Sequence, residues 1–258
     1  MDVFADAEHF RGAPFEQFGD EHLLALTLVV LWQVLLLSRF RAADPATRRT
    51  MRGALTGALW AQEAGYHLWR AVTGTWTPRE MLPLHLCSAA IWVGGVMLLT
   101  RSYALYEFCY FGAIVGASLA LLTPDLGPFG APHYRFFQFF ESHGLILTAP
   151  LWMTFVEGFR PSVGSLARAS AGTAAYGLLV FAANRRLGSN YMFLNGKPPM
   201  RTPLDALPPW PRYLPIMGAG VAGLFALLFA PWALADAQGV RGAAFRPGPS
   251  PVNRERKK

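Results

Sequence analysis

Several side chains able to do acid–base or nucleophilic chemistry lie inside long apolar stretches of this chain. They are Glu63, His67, His85, Cys87, Glu107, Glu141 and His143. Asp125 and His133 sit in the break between the fourth and fifth stretches. Ionisable groups at membrane depth are costly, so they mark interior or water-lined positions. Cys87 is a candidate nucleophile, because a thiol becomes a thiolate beside a base or a positive charge. His143, in Phe139-Phe140-Glu141-Ser142-His143-Gly144, is the first candidate for that base. Glu63 and His67 are i, i+4 on one helix face, so the carboxylate could orient the imidazole. His85 and Cys87 are i, i+2 and fall on roughly opposite sides of a helix unless Pro83 distorts the turn. Each has a plainer reading. A free Cys is often a buried small hydrophobe, and a Glu–His pair can serve packing alone. Cys109 has no His near it in sequence and reads as packing.

Seven apolar stretches must position these groups. They run over about residues 22–38, 53–72, 80–100, 103–122, 136–156, 166–183 and 212–234, each near the roughly 20 residues a spanning helix needs. The expected fold is all-α, a polytopic bundle of seven transmembrane helices. It divides into an acidic segment 1–21, the bundle 22–234, and a basic tail 235–258 expected to be disordered. The acidic start lacks a basic n-region and does not read as a cleavable signal. Alternating the helices puts fourteen Lys and Arg on one side and nine on the other. The positive-inside rule then places the N-terminus outside and the C-terminus in the cytoplasm of a cell-membrane protein. At about 1.5 Å per residue, Cys87 and His143 both lie about 10 Å in from the outer side, with His67 and Glu63 at about 8 and 14 Å. Asp125 and His133 close that end, and Glu107 lies near the other. Trp69, Trp76, Trp210 and Trp232 fit an interfacial belt. Gly112-Ala-Ile-Val-Gly116 is a small-xxx-small packing motif.

Composition excludes several classes. Of 258 residues, 53% are hydrophobic and only 15% charged, against about a quarter charged in soluble domains. The net charge of +7 does not point to nucleic acid, because the 8 Trp and 19 Phe lie in apolar runs and interleave with no basic face. Two cysteines make no disulfide framework. No Lys lies in a spanning stretch, which excludes a retinal Schiff base, and no P-loop, Gly-x-Ser-x-Gly or His-Glu-x-x-His pattern occurs. No cofactor is expected. The last two stretches offer no His, but a zinc ion could still be held by Glu63, His67, His85 and His143.

Leu82-Pro83-Leu84-His85-Leu86-Cys87, Phe140-Glu141-Ser142-His143-Gly144 and Asn190-Tyr191-Met192-Phe193-Leu194 resemble the bacterial YwaF-type integral membrane family. So do Lys197-Pro198, Trp210-Pro211, the Thr123-Pro124-Asp125 turn and the Glu63/His67 pair, over about residues 20–232. That family is in turn distantly similar to eukaryotic transmembrane protein 164, an acyltransferase that moves fatty acyl chains between phospholipids through a cysteine acyl-enzyme. The resemblance implies Cys87 as nucleophile and His143 as base. The expectation is thus a lipid acyltransferase or transacylase whose partners are membrane lipids. Glu63 with His67, or His85, would position the base or donate to the developing oxyanion. Asn190, Lys197 and Arg185, with Arg186, could hold a phosphate headgroup, or serve only as interfacial anchors. Two rivals are a transporter or binding protein that uses the same polar layer, and a metal-dependent lipid hydrolase.

Overall fold

The computed structural model describes residues 3–199 and 202–239. Those residues form seven long helices and no strand: α1 (Asp20–Phe40), α2 (Pro45–Val72), α3 (Leu86–Thr100), α4 (Tyr103–Leu122), α5 (Tyr134–Phe155), α6 (Val163–Leu187) and α7 (Tyr213–Ala237). One π-helical turn, Cys109–Ala113, interrupts α4. Four of the seven, α1, α4, α6 and α7, are long and apolar enough to cross a membrane. α3 is apolar but only 15 residues long, and α2 carries charge along much of its length. Most of the basic tail lies outside the described residues, and its first residues, 235–237, still belong to α7.

Local chemistry explains where the elements differ from hydropathy. α2 starts eight residues earlier than the apolar stretch suggests. Asp44 caps it by accepting from the amides of Ala46 and Thr47, and Pro45 stands at the first helical position, where its missing N–H costs nothing. The arginines that looked like loop are therefore helical. Arg48 reaches back to the carbonyls of Ala43, Arg41 and Val156 at 2.8, 2.9 and 2.7 Å. α3 starts six residues later than expected, because 80–85 form turns around Pro83. α6 runs on to Leu187, with Arg185 and Arg186 in its last turn and Gly188 at φ 63° closing it, the left-handed cap that glycine suits.

α2, α3, α4 and α5 build the centre. Gly94 of α3 stands where an added Cβ would lie 3.6 Å from Ala149 of α5 and 3.9 Å from Leu59 of α2. Met97, Leu98, Phe111, Ile146, Trp152 and Phe225 are fully buried around that crossing. α1, α6 and α7 pack on the outside and leave large apolar side chains exposed, among them Leu28, Leu35, Leu178, Leu179 and Leu227. In water such faces would aggregate; in lipid they are at home.

The two ends differ. At the end where α1, α3, α5 and α7 begin, the segment before α1 folds over the bundle. Tyr134 donates its amide to Val3 at 2.8 Å, Trp69 its indole to Phe4 at 2.8 Å, and His133 its Nε2–H to Ala5 at 2.9 Å. Trp69 is thereby buried. At the opposite end, buried Glu157 sits between Arg52 and Arg101 at 2.5 and 3.1 Å. There Glu107 takes a two-pronged bond from Arg168 at 2.5 and 2.9 Å.

Candidate active site

Cys87 is the second residue of α3 and half-buried. It stands not part-way down a helix but in its first turn. Its Sγ lies against α4, 3.5 Å from where a Cβ on Gly116 would be. Leu86 covers Gly112 and Gly116 in the same way, at 3.6 and 3.4 Å. The small-xxx-small motif thus forms the wall behind the thiol. The first three amides of α3, on Leu86, Cys87 and Ser88, have no hydrogen-bond partner among the described residues.

By residue count, His143 of α5 comes level with Cys87. α3 and α5 run in the same direction and touch where Gly94 meets Ala149. Cys87 is about 10 Å and His143 about 9 Å from that contact, at about 1.5 Å per residue. The ring of His143 packs at a tilt of 32° against Phe139, with centroids 4.2 Å apart. Its Nδ1 is 2.8 Å from the Phe139 carbonyl. A carbonyl only accepts, so Nδ1 carries the proton and the neutral ring keeps its lone pair on Nε2.

His85 is the N-cap of α3, in extended conformation (φ −66°, ψ 146°), and makes no cap bond to its own helix. The opposite-sides expectation for His85 and Cys87 assumed one continuous helix and does not apply. The ring is covered instead by the loop after α6. It lies 5.1 Å from the Tyr191 ring and 5.6 Å from the Phe193 ring, and its Nδ1 accepts the Met192 amide at 3.3 Å. Residues 191–193 therefore pack over the site end.

Glu63 and His67 do pair, with Nε2 3.4 Å from the carboxylate, and His67 Nδ1 accepts the Trp76 indole N–H at 2.9 Å. Beside them runs a second polar network. Arg135 donates to Gln138, and Gln138 donates to Gln62 at 2.9 Å across the α2–α5 contact. The Arg135 guanidinium lies over Tyr66 and over Phe139, 4.7 and 5.1 Å from the ring centres. Phe139 is also the ring against which His143 packs, so the Arg135 cation and the candidate base share one aromatic neighbour. Gln62 and Gln138 were visible as polar residues in apolar runs; Arg135 was readable only as a loop charge.

Other expected site residues separate. Glu141 is exposed and turned away from the layer; two residues from His143, it falls on the other side of α5. Asp125 is exposed in the α4–α5 loop, where its carbonyl accepts from Arg135 at 3.4 Å. Asn190 spends its amide on Gly196 and Asn195, at 3.0 and 2.9 Å. Lys197 binds the carbonyls of Leu207 and Asp205, at 2.7 and 3.3 Å. Both hold the loop's own shape. Arg185, by contrast, lines a cavity of about 330 Å³ with Phe181, Asn195 and Trp210. Glu63, His67, His85 and His143 do not form a metal-ligand set: among the described residues no three such side chains converge.

Residues 17–229 match the TMEM164 family. The chain belongs to the TMEM164 family. It is also similar to an uncharacterized protein of Treponema pallidum (strain Nichols), 32% identical over 126 residues, covering 46% of this chain and 50% of that protein. The chain thus spans about half the length of that relative. No solved structure matches. Every candidate site residue of this TMEM164-family protein lies inside the matched span. The covering segment before residue 17 lies outside it. The match bears on the transmembrane protein 164 side of the resemblance read from the motifs. With the apolar helices, it makes the chain a multi-pass membrane protein.

Proposed function

We propose that this TMEM164-family protein transfers acyl chains between membrane lipids through a thioester on Cys87. The observation that carries the reading is the thiol's place in the first turn of α3, beside three unspent amides and level with a histidine whose Nε2 is free to accept a proton. A helix start favours negative charge on an attacking sulfur or on a developing oxyanion.

The chemistry balances with residues of this chain alone. His143 Nε2 takes the thiol proton as Sγ attacks the ester carbonyl carbon. The C–S bond forms, the ester C–O bond breaks, and the proton passes from His143 to the departing lipid alkoxide. In the second half, His143 takes a proton from the acceptor hydroxyl, whose oxygen attacks the thioester. The C–S bond breaks and the thiol regains its proton. Proton removal in step with attack is the route this reading uses.

The arginine-rich opposite end supports placing the site end outside a cell membrane. The headgroup role narrows to Arg185, whose cavity shares the loop that covers His85. Acyl transfer between a labelled phospholipid and a lysophospholipid in proteoliposomes tests the reading. Cys87→Ala is expected to abolish it and His143→Ala to slow it by roughly 10²–10⁴-fold. Full activity in Cys87→Ala would exclude the mechanism.

A second reading, a solute or proton path, rests on buried Glu63 and the Gln62–Gln138 bridge. It requires Cys87→Ser to be tolerated and Glu63→Gln not to be.

A further inference from the structure

The loop after α6 is built at some cost to do one thing at His85. Met192 and Phe193 both sit in the left-handed region, at φ 56° and 55°, which side chains other than glycine rarely adopt. Such backbone persists only where its surroundings hold it. Here they do. Asn184 is fully buried, and it binds the Tyr191 carbonyl and amide at 2.9 Å each and the Ser189 hydroxyl at 2.8 Å. The Tyr191 hydroxyl donates to Pro78 at 2.7 Å and accepts the Leu82 amide at 2.9 Å. The Tyr213 hydroxyl donates to the Phe193 carbonyl. Asn190 closes the far side of the loop. The product of this bracing is one amide, that of Met192, aimed at His85 Nδ1.

That contact has two consequences. An amide only donates, so Nδ1 carries no proton, and the neutral ring has its proton on Nε2. Nε2 has no partner among the described residues. The contact also takes the acceptor nitrogen that an N-cap side chain would offer its own helix, so the amides of Leu86, Cys87 and Ser88 stay unspent.

We propose that the loop sets His85 as a hydrogen-bond donor, not a base, and that its Nε2–H joins the first amides of α3 to hold the carbonyl oxygen of the ester under attack. Met192 is a positioning residue that acts through His85. This rests on the acyl-transfer reading. No proton leaves His85 in either half of the reaction: Nε2–H donates to the oxyanion while the tetrahedral centre exists and releases it when the C–O or C–S bond breaks.

The test compares His85→Gln, whose side-chain N–H can replace the donor but cannot titrate, with His85→Leu, which offers none. Both are assayed for the rate of Cys87 acylation by a labelled phospholipid. Loss of one such donor typically slows the chemical step by about 10²–10³-fold. His85→Leu should show that loss in kcat rather than KM, and His85→Gln should recover at least about tenfold with the wild-type pH profile. A His85→Gln as slow as His85→Leu, or one with a changed pH profile, overturns the donor role. Nitrogen-15 NMR of wild-type protein with labelled histidine gives a reading that no variant's folding can disturb. A protonated Nε2 on His85 is expected, and a protonated Nδ1 overturns the proposal. Absence of any Cys87 thioester on wild type removes the acyl-transfer reading itself; a thioester that forms equally slowly in both variants removes only this one.

Discussion

His85 and His143 are held in opposite tautomers at the same end of the bundle. The Met192 amide puts the proton of His85 on Nε2, and the Phe139 carbonyl puts the proton of His143 on Nδ1. One ring therefore presents a donor and the other an acceptor. A nucleophilic thiol between helices needs both, one to take its proton and one to hold the oxygen. Backbone groups on different elements set the two assignments, so they persist without a ligand.

The strained loop can be weighed directly. At Met192, φ 56° penalises any side chain with a Cβ and spares glycine. Met192→Gly is expected to be more stable than Met192→Ala by about 1 kcal/mol, read as a thermal midpoint in detergent. The two share the lost side chain, so the difference isolates the backbone. Equal stabilities would mean that residue 192 does not adopt the left-handed conformation.

Gly95 lies under Trp60, with an added Cβ 2.4 Å from the indole nitrogen. Gly95→Ala should destabilise the α2–α3 contact by about 1–3 kcal/mol, the usual cost of overpacking. Trp60→Leu in the same chain should recover most of that loss. A double variant no better than the single one would place the strain elsewhere.

Gly116 backs the thiol. An alanine there would put its methyl 3.5 Å from Sγ and 3.4 Å from Leu86, close but tolerable. Gly116→Ala should fold normally and react more slowly at Cys87 with a bulky alkylating agent than with a small one. Gly116→Leu should abolish labelling by either. Unchanged labelling in both would show that Sγ does not face α4.

Acid should loosen the start of α2 before the rest. The Asp44 carboxylate is held below its ordinary value of 3.8, first by the Thr47 hydroxyl and then by the Thr47 amide. A lowered acid contributes its full stability above the unfolded value and loses it as pH falls through the folded one. Hydrogen-exchange protection at 46–49 should hold from neutral pH to about 5 and fall below about 4. In Asp44→Ala it should be low throughout. Protection that survives at pH 3 in wild type would argue against this cap.

Seven helices were legible because apolar runs of helical length, separated by breakers, leave few other folds. Their ends were not. Asp44-Pro45 reads as a chain break in sequence and acts as an N-cap with its first helical residue, which carries Arg48, Arg49 and Arg52 into α2. In the site, the common depth of Cys87 and His143 follows from counting residues, here taken from the Gly94–Ala149 contact. The place of His85 did not follow, because Pro83 ends the helical geometry that spacing arguments assume. Asn190 and Lys197 looked available to a ligand because their partners are backbone carbonyls and amides, which no residue pattern announces. Met192 meets His85 through its backbone amide, a contact that its side-chain type does not announce.

Intact-protein mass spectrometry tests the central claim most directly. Detergent-purified wild type and Cys87→Ala are compared after incubation with mixed phospholipids, before and after neutral hydroxylamine. A fatty-acyl mass on wild type that hydroxylamine removes and Cys87→Ala lacks is the expected result, and the mass names the chain. An acyl adduct that persists in Cys87→Ala, or none on wild type, contradicts a thioester at Cys87.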